Sequence, residues 1–348
     1  MQKATIKDVA KRSRVSPKTV SRVINNEPSV RERTRGRVLE AISALNYHPD
    51  FSARNLRSAK SYALGLAYDN PNAYYVISMQ SGVLSSCRET GFGLQIHPCN
   101  AASPTIAQEL LDLARRSRLA GLILAPPMSE RPELIRYLSS NGVHLVRIIS
   151  AAEDPRDGFA CVYVDDRDAA YAITEHLIQL GHERIGFLWG GTAHLSSFER
   201  YKGYRLALER YGVKLDDALV LPGDYSFDDG FRGTRNLLSL PRRPTAIFGS
   251  NDEIAAGALV AAKSMGIDVP NQLSIAGFED SPFSRQSWPA LTTARQATEE
   301  IARAATLLLI AELRPHTVSH HNIVGRSRGF TPELVVRGST ARSPSSAG

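Results

Sequence analysis

Cysteine is scarce in this sequence: three of the 348 residues are cysteines, and Cys87, Cys99 and Cys161 show no CxxC spacing. An odd count without that spacing argues against a disulfide framework and a zinc ribbon, so we expect small core residues in a reducing compartment. Long apolar runs are also absent, and no apolar segment follows the positive charges near the N-terminus. The sequence therefore predicts a cytoplasmic chain with no membrane partner.

The patterns that an enzyme or a cofactor site requires are missing as well. The glycines of the segment WGG (189–191) do not form a GxGxxG motif, so a dinucleotide site is unsupported. His176 and His182 straddle a predicted helix end, and His320 and His321 are adjacent, so neither pair has a ligand set at usable spacing. With no nucleophile and base in view, we predict no catalysis, no cofactor and no metal.

Positive charge is concentrated at one end of the chain. Residues 1–60 contain 14 Lys and Arg against 5 Asp and Glu, a net charge of +9, whereas the remainder contains 28 against 30. A compact basic unit is typical of phosphate binding, because each neutralised phosphate releases condensed counterions. With 43% hydrophobic residues, a chain of this length should form two or three globular units.

Residues 1–48 show the pattern of an all-α helix-turn-helix DNA-binding domain. A capped amphipathic helix begins at Thr5. A second helix follows, with Ser16 as its N-cap, Pro17 at its first position, and Val20 and Val23 facing inward. A third helix from residue 29 or 30 to residue 45 completes the unit.

The second helix of such a motif places its N-terminal side chains in the major groove. The residues predicted to contact bases there are Pro17, Lys18, Ser21 and Arg22. The residues predicted to contact the phosphate backbone are Thr5, Ser16, Thr19 and Asn25.

Residues 49–60 are a predicted hinge helix. Within the segment FSARNL (51–56), apolar Leu56 follows small Ala53 at helical spacing. So short a helix is marginally stable alone, and a segment that folds only when DNA or a partner supports it can act as a switch.

Beyond residue 60, short apolar runs alternate with helix-length segments, which predicts an α/β fold with parallel strands. The runs are ALGLAY (63–68), LQIH (94–97), GLILA (121–125) and HLVRII (144–149), then VYV (162–164), RIGFLWG (184–190), TAIFGS (245–250) and LSIAGF (273–278). The second set repeats the rhythm of the first, so we expect two similar lobes.

The residues just past the ends of several of these runs define a candidate pocket, because open parallel sheets bind ligands beyond the carboxyl ends of their strands. The positions concerned are Asp69, Asn70, Pro126, Pro127, Gly190, Gly191, Asn251, Asp252, Glu279 and Asp280. Carboxylates, amides and an arginine beside aromatic rings suit a neutral polyol, because they exchange hydrogen bonds with hydroxyls while the rings cover its apolar face. A purine or an organic acid would fit almost as well.

The segment TIKDVAKRSRVSPKTVSRVINNEPSVRERTRGRVLEAISALNYHPDFSARNLRS (5–58) resembles, nearly end to end, the head and hinge of the lactose/galactose-repressor (LacI/GalR) family of bacterial regulators. The resemblance implies a homodimer on double-stranded operator DNA, with paired hinge helices in the central minor groove. Leu56 would wedge between base pairs there, and Ala53 and Arg54 would line the groove. One departure is Arg14, where the family usually has glycine in the turn; a left-handed residue other than glycine costs roughly 1 kcal/mol.

The chain beyond residue 60, called the body below, resembles the same family. The likeness lies in segments such as FERYKGY (198–204), GSND (249–252), GFED (277–280) and PALTTARQ (289–296), and it runs to about residue 340. It implies a two-lobed, periplasmic-binding-protein-like α/β effector domain. Such a domain binds a small molecule between its lobes, and a sugar is the favoured ligand. The effector-binding residues that it implies are Tyr74, Tyr75, Arg200, Asn251, Glu279 and Trp288, and the strand-end argument adds Asn70 to this predicted set.

Plain structural roles compete with these assignments. Arg200 could pair with Glu199 or Glu209 on a solvated helix. Asp165 and Asp166 are expected to cap the helix that runs to residue 180.

The predicted divisions are a DNA-binding domain (1–48), a hinge (49–60), a first lobe (61–162 and 292–324), a second lobe (163–291 and 325–340) and a disordered tail (341–348). The favoured function is a transcriptional repressor whose operator affinity is modulated by its effector. A solute-binding protein or a cleft enzyme on the same two-lobed fold is the alternative; the first would need an export signal where the basic head lies.

Overall fold

The structure is a computed structural model that describes residues 4–24, 29–47, 62–314 and 326–344. The predicted hinge and the predicted DNA contacts Asn25, Ala53, Arg54 and Leu56 lie outside the described residues. Within the described ranges, no helix combines the length and the apolar character needed to cross a membrane.

The head is a three-helix unit. Its helices are α1 (Ile6–Ser13), α2 (Pro17–Ile24) and α3 (Glu32–Ala44). They enclose a small core of Val9, Ala10, Val20, Val23, Val38 and Ala41. The predicted helix-turn-helix is confirmed, although α3 begins two or three residues later than expected.

Arg14 makes the turn between α1 and α2. Its backbone is left-handed, with φ 53° and ψ 46°, as expected where related proteins usually have glycine. The N–H of Val15 reaches back to the carbonyl oxygen of Ala10 at 3.1 Å and closes the turn. The side chain of Ser16 accepts a hydrogen bond from the N–H of Thr19 at 3.1 Å, so Ser16 caps α2 as predicted.

The first lobe is built on a parallel sheet of six strands. The strands are β1 (Ala63–Tyr68), β2 (Gly93–Pro98), β3 (Gly121–Leu124), β4 (Leu145–Ser150), β5 (Cys161–Val164) and β11 (Ser327–Phe330), in the spatial order β11-β5-β4-β3-β1-β2. The helices are α4 (Ala73–Thr90), α5 (Ile106–Arg116), α6 (Pro132–Ser140) and α12 (Thr298–Leu313), and a short 3₁₀ turn spans Met128–Glu130. Every residue of β3 and β4 is buried, because helices cover both faces of the sheet.

The second lobe is a smaller parallel sheet with an antiparallel pair beside it. Its strands are β6 (Ile185–Leu188), β7 (Val220–Leu221), β8 (Ala246–Gly249) and β9 (Ser274–Ala276), in the order β7-β6-β8-β9, with β10 (Thr293–Arg295) paired to β12 (Glu333–Val335). Its helices are α7 (Asp166–Gln179), α8 (Leu195–Arg210), α9 (Phe227–Leu238), α10 (Asp252–Ser264) and α11 (Pro282–Gln286), with a 3₁₀ turn at Asp217–Leu219.

The lobe boundaries differ from the predicted ones. The run 162–164, expected to open the second lobe, forms β5 of the first sheet, and β11 pairs with it through Phe330 and Val164. In the second lobe, Thr293 pairs with Val335. The chain therefore crosses between lobes after β5, after β10 and after β11, which corrects the divisions at 162/163, 291/292 and 324/325. Apolar runs predict strands, but the partner of a strand is decided by tertiary packing.

The predicted disordered tail is wrong for its first four residues. The N–H of Ala341 donates to Ser274 Oγ at 3.0 Å, and the N–H of Ser343 donates to the carbonyl oxygen of Leu180 at 2.8 Å. Ser343 is buried, and the carbonyl of Ala341 lies 3.0 Å from His182 Nε2. Small polar residues predict a disordered tail, but Ala341 and Ser343 are held by hydrogen bonds to the second lobe.

Candidate effector pocket and nucleic-acid interface

A polar pocket lies between the lobes, where strand ends from both sheets face each other. The first lobe lines it with Asn70, Asn72, Tyr75, Pro126, Ile148, Ile149, Ser150 and Val164, and the second lobe with Asp166, His194, Ser196, Arg200, Tyr225, Asn251, Glu279 and Gln296. The set includes five of the predicted effector residues, namely Asn70, Tyr75, Arg200, Asn251 and Glu279.

Arg200 is the charged centre of the pocket. Its side chain is 4% exposed, and its Nε donates to Asp166 Oδ1 at 2.9 Å while Nη1 donates to the Ser250 carbonyl at 2.6 Å. The guanidinium carbon also lies 3.8 Å from the centre of the Phe278 ring, a cation–π contact. The alternative pairing with Glu199 is not observed, because Glu199 accepts from Arg167 Nε at 2.7 Å.

Asp166 is a pocket residue that the sequence reasoning missed. It was expected to share the capping of α7, but Asp165 alone makes the cap, accepting from the N–H of Asp168 at 3.0 Å. The Asp166 carboxylate instead binds Arg200 and accepts a hydrogen bond across the lobes from Ser150 Oγ at 2.6 Å. The two adjacent acidic residues at the helix start are a signal that could have identified Asp166. Only one of them can serve as the N-cap, so the other is available for a different role.

Glu279 reaches the pocket from a strained backbone. Its φ of 106° is a left-handed value that residues other than glycine rarely adopt. Asn72 of the first lobe donates through Nδ2 to Glu279 Oε2 at 2.7 Å, and Oε1 lies 3.8 Å from Arg200 Nη1. Burial raises the pKa of Glu279 to about 8, although Arg200 opposes that rise. At neutral pH the side chain is therefore mainly a neutral acid.

Asp280 holds the turn that carries Glu279. The strand-end argument included it among the pocket positions, but its carboxylate accepts from Arg337 Nη2 at 2.6 Å, Arg295 Nε at 2.9 Å and Ser284 Oγ at 2.8 Å. Burial alone would raise the pKa of Asp280, but these hydrogen bonds bring it below its ordinary value. The residue is an anchor beneath the pocket, and its own φ is 55°.

Asn251 uses most of its amide inside the protein. Its Oδ1 accepts from the N–H of Ile254 at 2.8 Å and caps α10, and its Nδ2 makes only a long hydrogen bond of 3.4 Å to the Tyr225 carbonyl. Only the Nδ2 group has capacity left, so contact between Asn251 and an effector stays a prediction.

Two of the predicted aromatic contacts do not line the pocket. Tyr74 is 38% exposed and packs edge-on against Phe283 of the other lobe, with ring centres 5.4 Å apart. Trp288 is 95% exposed. Consecutive residues at a helix start point in different directions, so Tyr75 faces the pocket and Tyr74 does not. Tyr225 and Phe278 supply the aromatic surface around Arg200 instead.

Glu130 joins the two lobes beside the pocket. Its carboxylate accepts from the N–H of Leu195, at the start of α8, at 3.0 Å, and from the N–H of Ser150 at 3.2 Å. Burial raises the pKa of Glu130 to about 7. Asn72, Gln296, His194 and Ser196 also enter the pocket, and nothing in their local sequence pattern singled them out.

The second helix of the head presents one polar face. Pro17, Lys18 and Arg22 are exposed and Ser21 is partly exposed, while the opposite side is buried in the head core. Among the predicted backbone contacts, Thr5 donates to Asp8 through N and Oγ1 at 2.8 and 2.6 Å, and the hydroxyls of Ser16 and Thr19 lie 3.0 Å apart. This arrangement is the one in which a helix-turn-helix reads DNA.

A basic helix-turn-helix head and a two-lobed domain with a polar pocket define the class of DNA-binding transcription regulators. The sequence of residues 5–50 matches the lacI family of bacterial regulatory proteins, and residues 174–340 match a periplasmic binding protein-like domain. The HTH-type transcriptional repressors PurR of Escherichia coli O139:H28 and of Shigella boydii serotype 18 are each 31% identical to this chain, over 98% of this chain and 98% of the relative. The chain belongs to the LacI family of bacterial regulatory proteins.

Solved structures agree with this assignment. A lac repressor dimer bound to operator and the anti-inducer ONPF is 25% identical, with a TM-score of 0.76, over 98% of this chain and 100% of that chain. A complex of the transcriptional regulator CelR with cellobiose is 26% identical, with a TM-score of 0.71, over 97% of this chain and 100% of that chain.

Proposed function

We propose that this LacI-family protein is a homodimeric transcriptional repressor whose operator affinity is set by a neutral small molecule, preferably a sugar, held between its lobes. The observation that carries the effector part of the proposal is the pairing of the buried Arg200 with groups of the protein itself. The Arg200 guanidinium donates to Asp166 and to the Ser250 carbonyl, and burial raises the pKa of Glu279 to about 8.

A pocket of this kind disfavours an anion. An organic acid that paired with Arg200 would compete with Asp166 for the guanidinium, and loss of that pairing would leave a buried carboxylate unpaired. Burial and the nearby Arg200 also hold the pKa of His194 below its ordinary value, so His194 supplies no extra positive charge. A neutral ligand avoids both penalties and still finds hydrogen-bond donors and acceptors on every side.

A polyhydroxylated ring fits these groups well. The Asp166 carboxylate accepts from hydroxyl groups, the neutral Glu279 acid donates and accepts, and amides such as Asn72 and Gln296 both donate and accept. Binding of cellobiose by the similar CelR supports a carbohydrate. A neutral nucleobase, which would stack on the Tyr75 or Tyr225 ring, is the outcome of the test below that would reassign the ligand class.

Contacts between the lobes supply the route from ligand to operator. Asn72 with Glu279, Ser150 with Asp166, and Glu130 with Leu195 join the lobes. The first two pairs line the pocket, and the third lies beside it. A ligand that fits the closed arrangement better than an open one shifts the population between the two. In the dimer this shift would reorient the first lobes, which follow the predicted hinge helices and the wedge residue Leu56 in the chain.

The operator part of the proposal is supported by the polar face of α2 and by the similar lac repressor dimer bound to its operator. Pro17, Lys18, Ser21 and Arg22 contact bases in the major groove in this proposal. Repression follows if the bound site overlaps a promoter.

The test is DNA binding by the full chain to the region upstream of its own gene, measured by footprinting with and without panels of neutral sugars, nucleobases and organic acids. We expect focused binding to a palindrome that one neutral compound changes. Arg200→Ala, compared under conditions where circular dichroism shows it folded, should keep DNA binding and lose the response, whereas Arg205→Ala, an exposed arginine on the same helix, should keep both. Unfocused binding that ignores every compound would reject the repressor, and a response confined to organic acids would reject the neutral effector.

A further inference from the structure

A second cluster of chemically reactive side chains lies in the first lobe, outside the pocket. It consists of His97, Cys99 and Glu109, whose potential ligand atoms all lie within 4.8 Å of one another. Spacing arguments over histidine pairs did not reveal it, because Glu109 is brought to the other two residues only by the packing of α5 beside β2.

The backbone explains why these side chains converge. His97 is near the end of β2, the edge strand of the sheet, and Cys99 is two residues further along. Residues two apart on an extended chain point to the same side. The N–H of Cys99 continues the strand pairing by donating to the Tyr68 carbonyl at 2.8 Å, which fixes its direction. Glu109 lies in the first turn of α5 and faces them.

Contacts within the cluster bring three different ligand types together. His97 Nε2 lies 2.7 Å from Glu109 Oε1, and Cys99 Sγ donates to the His97 carbonyl at 3.3 Å. The side chains of His97 and Glu109 are 26% and 39% exposed, so an ion can enter from solvent.

We propose that His97 Nε2, Cys99 Sγ and Glu109 form a three-ligand site for a divalent transition-metal ion, for which zinc is the best match. Zinc accepts nitrogen, thiolate sulfur and carboxylate oxygen together at bond lengths of roughly 2.0–2.3 Å, which places neighbouring ligand atoms of a tetrahedron roughly 3.5 Å apart. The three ligand atoms lie within 4.8 Å of one another, so adjustments of about 1 Å would bring them to that spacing. The fourth position is left for water.

Binding has a defined proton balance. The Cys99 thiol loses its proton to solvent as the metal–sulfur bond forms, and the ion replaces the proton between His97 Nε2 and Glu109, while a neutral His97 keeps its one proton on Nδ1 and any second proton goes to solvent. No change in oxidation state is involved.

The site would brace the segment that joins β2 to α5. That segment is already bonded to the pocket side of the lobe, because the N–H of Ala101 donates to Asp69 Oδ2 at 2.8 Å and Asp69 precedes Asn70. Metal occupancy should therefore stabilise the first lobe whether or not the pocket binds the proposed effector.

The experiment uses the untagged full chain, reduced and stripped of metal with a chelator. Cobalt(II) is titrated in place of zinc, because zinc is spectroscopically silent and cobalt bound to a thiolate gives a charge-transfer absorption in the near ultraviolet. We expect this absorption to saturate at one ion per chain. Cys99→Ser should abolish it, and Cys161→Ser, which changes a buried cysteine elsewhere in the lobe, should preserve it.

Zinc affinity is then measured by competition with a chromophoric chelator. His97→Ala and Glu109→Gln should each weaken it at least about tenfold, the lower end of the loss seen when even an outer partner of a metal ligand is removed. His144→Ala and Glu133→Gln, which change exposed residues of the same lobe, should leave it unchanged. Circular dichroism of each variant checks folding. The absence of a thiolate–cobalt absorption, or full zinc affinity in any of the three ligand variants, would overturn the site.

Discussion

The head and the body of this protein handle charge in opposite ways. In the head, Lys18 and Arg22 lie on an exposed helix face, where a partner can reach them. In the body, Arg200 is buried and is matched inside the protein by Asp166, Ser250 and the Phe278 ring. An exposed charge contributes little to the stability of the fold and much to binding a polyanion, whereas a buried charge must first be satisfied internally. We therefore expect that mutating an exposed charge of the head changes DNA affinity with little effect on stability, and that mutating the buried ion pair of the body changes stability.

The largest effect is expected from Asp166→Ala, because it leaves the buried Arg200 without its carboxylate. Breaking a buried ion pair by removing one partner lowers the free energy of unfolding by about 3–5 kcal/mol. Chemical denaturation followed by circular dichroism measures the change. Asp168→Ala, an exposed acid in the same helix turn, is the matched control and should change stability by less than about 0.5 kcal/mol. Equal stability of the two variants would show that Arg200 does not depend on Asp166.

The next effect is a pH dependence that belongs to the body alone. The folded protein holds a proton on Glu279 up to a pKa of about 8, whereas an unfolded glutamate loses it near its ordinary value of about 4.3. The folded state thus binds more protons between these values, so stability is greatest at the acidic end and falls as pH rises through the window. The slope is at most about 1.4 kcal/mol per pH unit for one group. Denaturation at pH 5.5, 6.5 and 7.5, values chosen inside that window, should show a shallower slope for Glu279→Gln than for the parent chain. An unchanged slope would assign the proton to another group, such as Glu130.

A third prediction concerns the predicted hinge, where a mutation should change DNA affinity and not effector binding. Leu56→Ala should weaken operator binding by about 1.5–3 kcal/mol, the value of burying a leucine side chain, and leave effector affinity nearly unchanged. Anisotropy titrations with operator and calorimetry with effector measure the two quantities. Equal operator affinity in both proteins would remove the wedge role.

Lys18→Ala should weaken specific DNA binding by about 1–3 kcal/mol and leave the free energy of unfolding almost unchanged. The reason is that Lys18 is exposed on the face opposite the head core. Specific and random DNA fragments are compared at one salt concentration, with Lys11→Ala of α1 as control. A similar loss on both fragments would make Lys18 a phosphate contact.

The smallest effect is expected at the turn of the head. Arg14→Gly should stabilise the head by about 1 kcal/mol, because glycine adopts the left-handed φ of 53° without strain. Its thermal unfolding is compared with that of Arg12→Gly, which places glycine inside α1 and should destabilise it. A lower melting temperature for Arg14→Gly would mean that the arginine side chain contributes more than its backbone costs.

Much of the head could be predicted from the sequence, because its structure is local. Caps at Ser16, helical spacing of valines and the turn at Arg14 are all decided within a few residues, and the structure confirms each of them. The strands of the body were also readable, since buried parallel strands appear as short apolar runs.

The sequence predicted where the pocket lies in the fold, but it did not predict the full set of residues that line it. Strand ends pointed to Asn70, Asn251 and Glu279, whereas Asp166, Asn72 and the exclusion of Tyr74 depended on which way side chains point after the lobes meet. A residue's distance along the chain says little about its direction in space.

By itself, the sequence determined the helices of the head, the polarity of the α2 face, the apolar strands and the family to which the chain belongs. Only the tertiary structure decided that β5 and β11 share a sheet, that Asp166 balances Arg200, that Ala341 and Ser343 are held by the second lobe, and that Glu109 meets His97 and Cys99. The physical reason is the range of the interactions: periodicity and capping act over a few residues, while strand pairing, buried ion pairs and side-chain clusters join residues that are far apart until the chain folds.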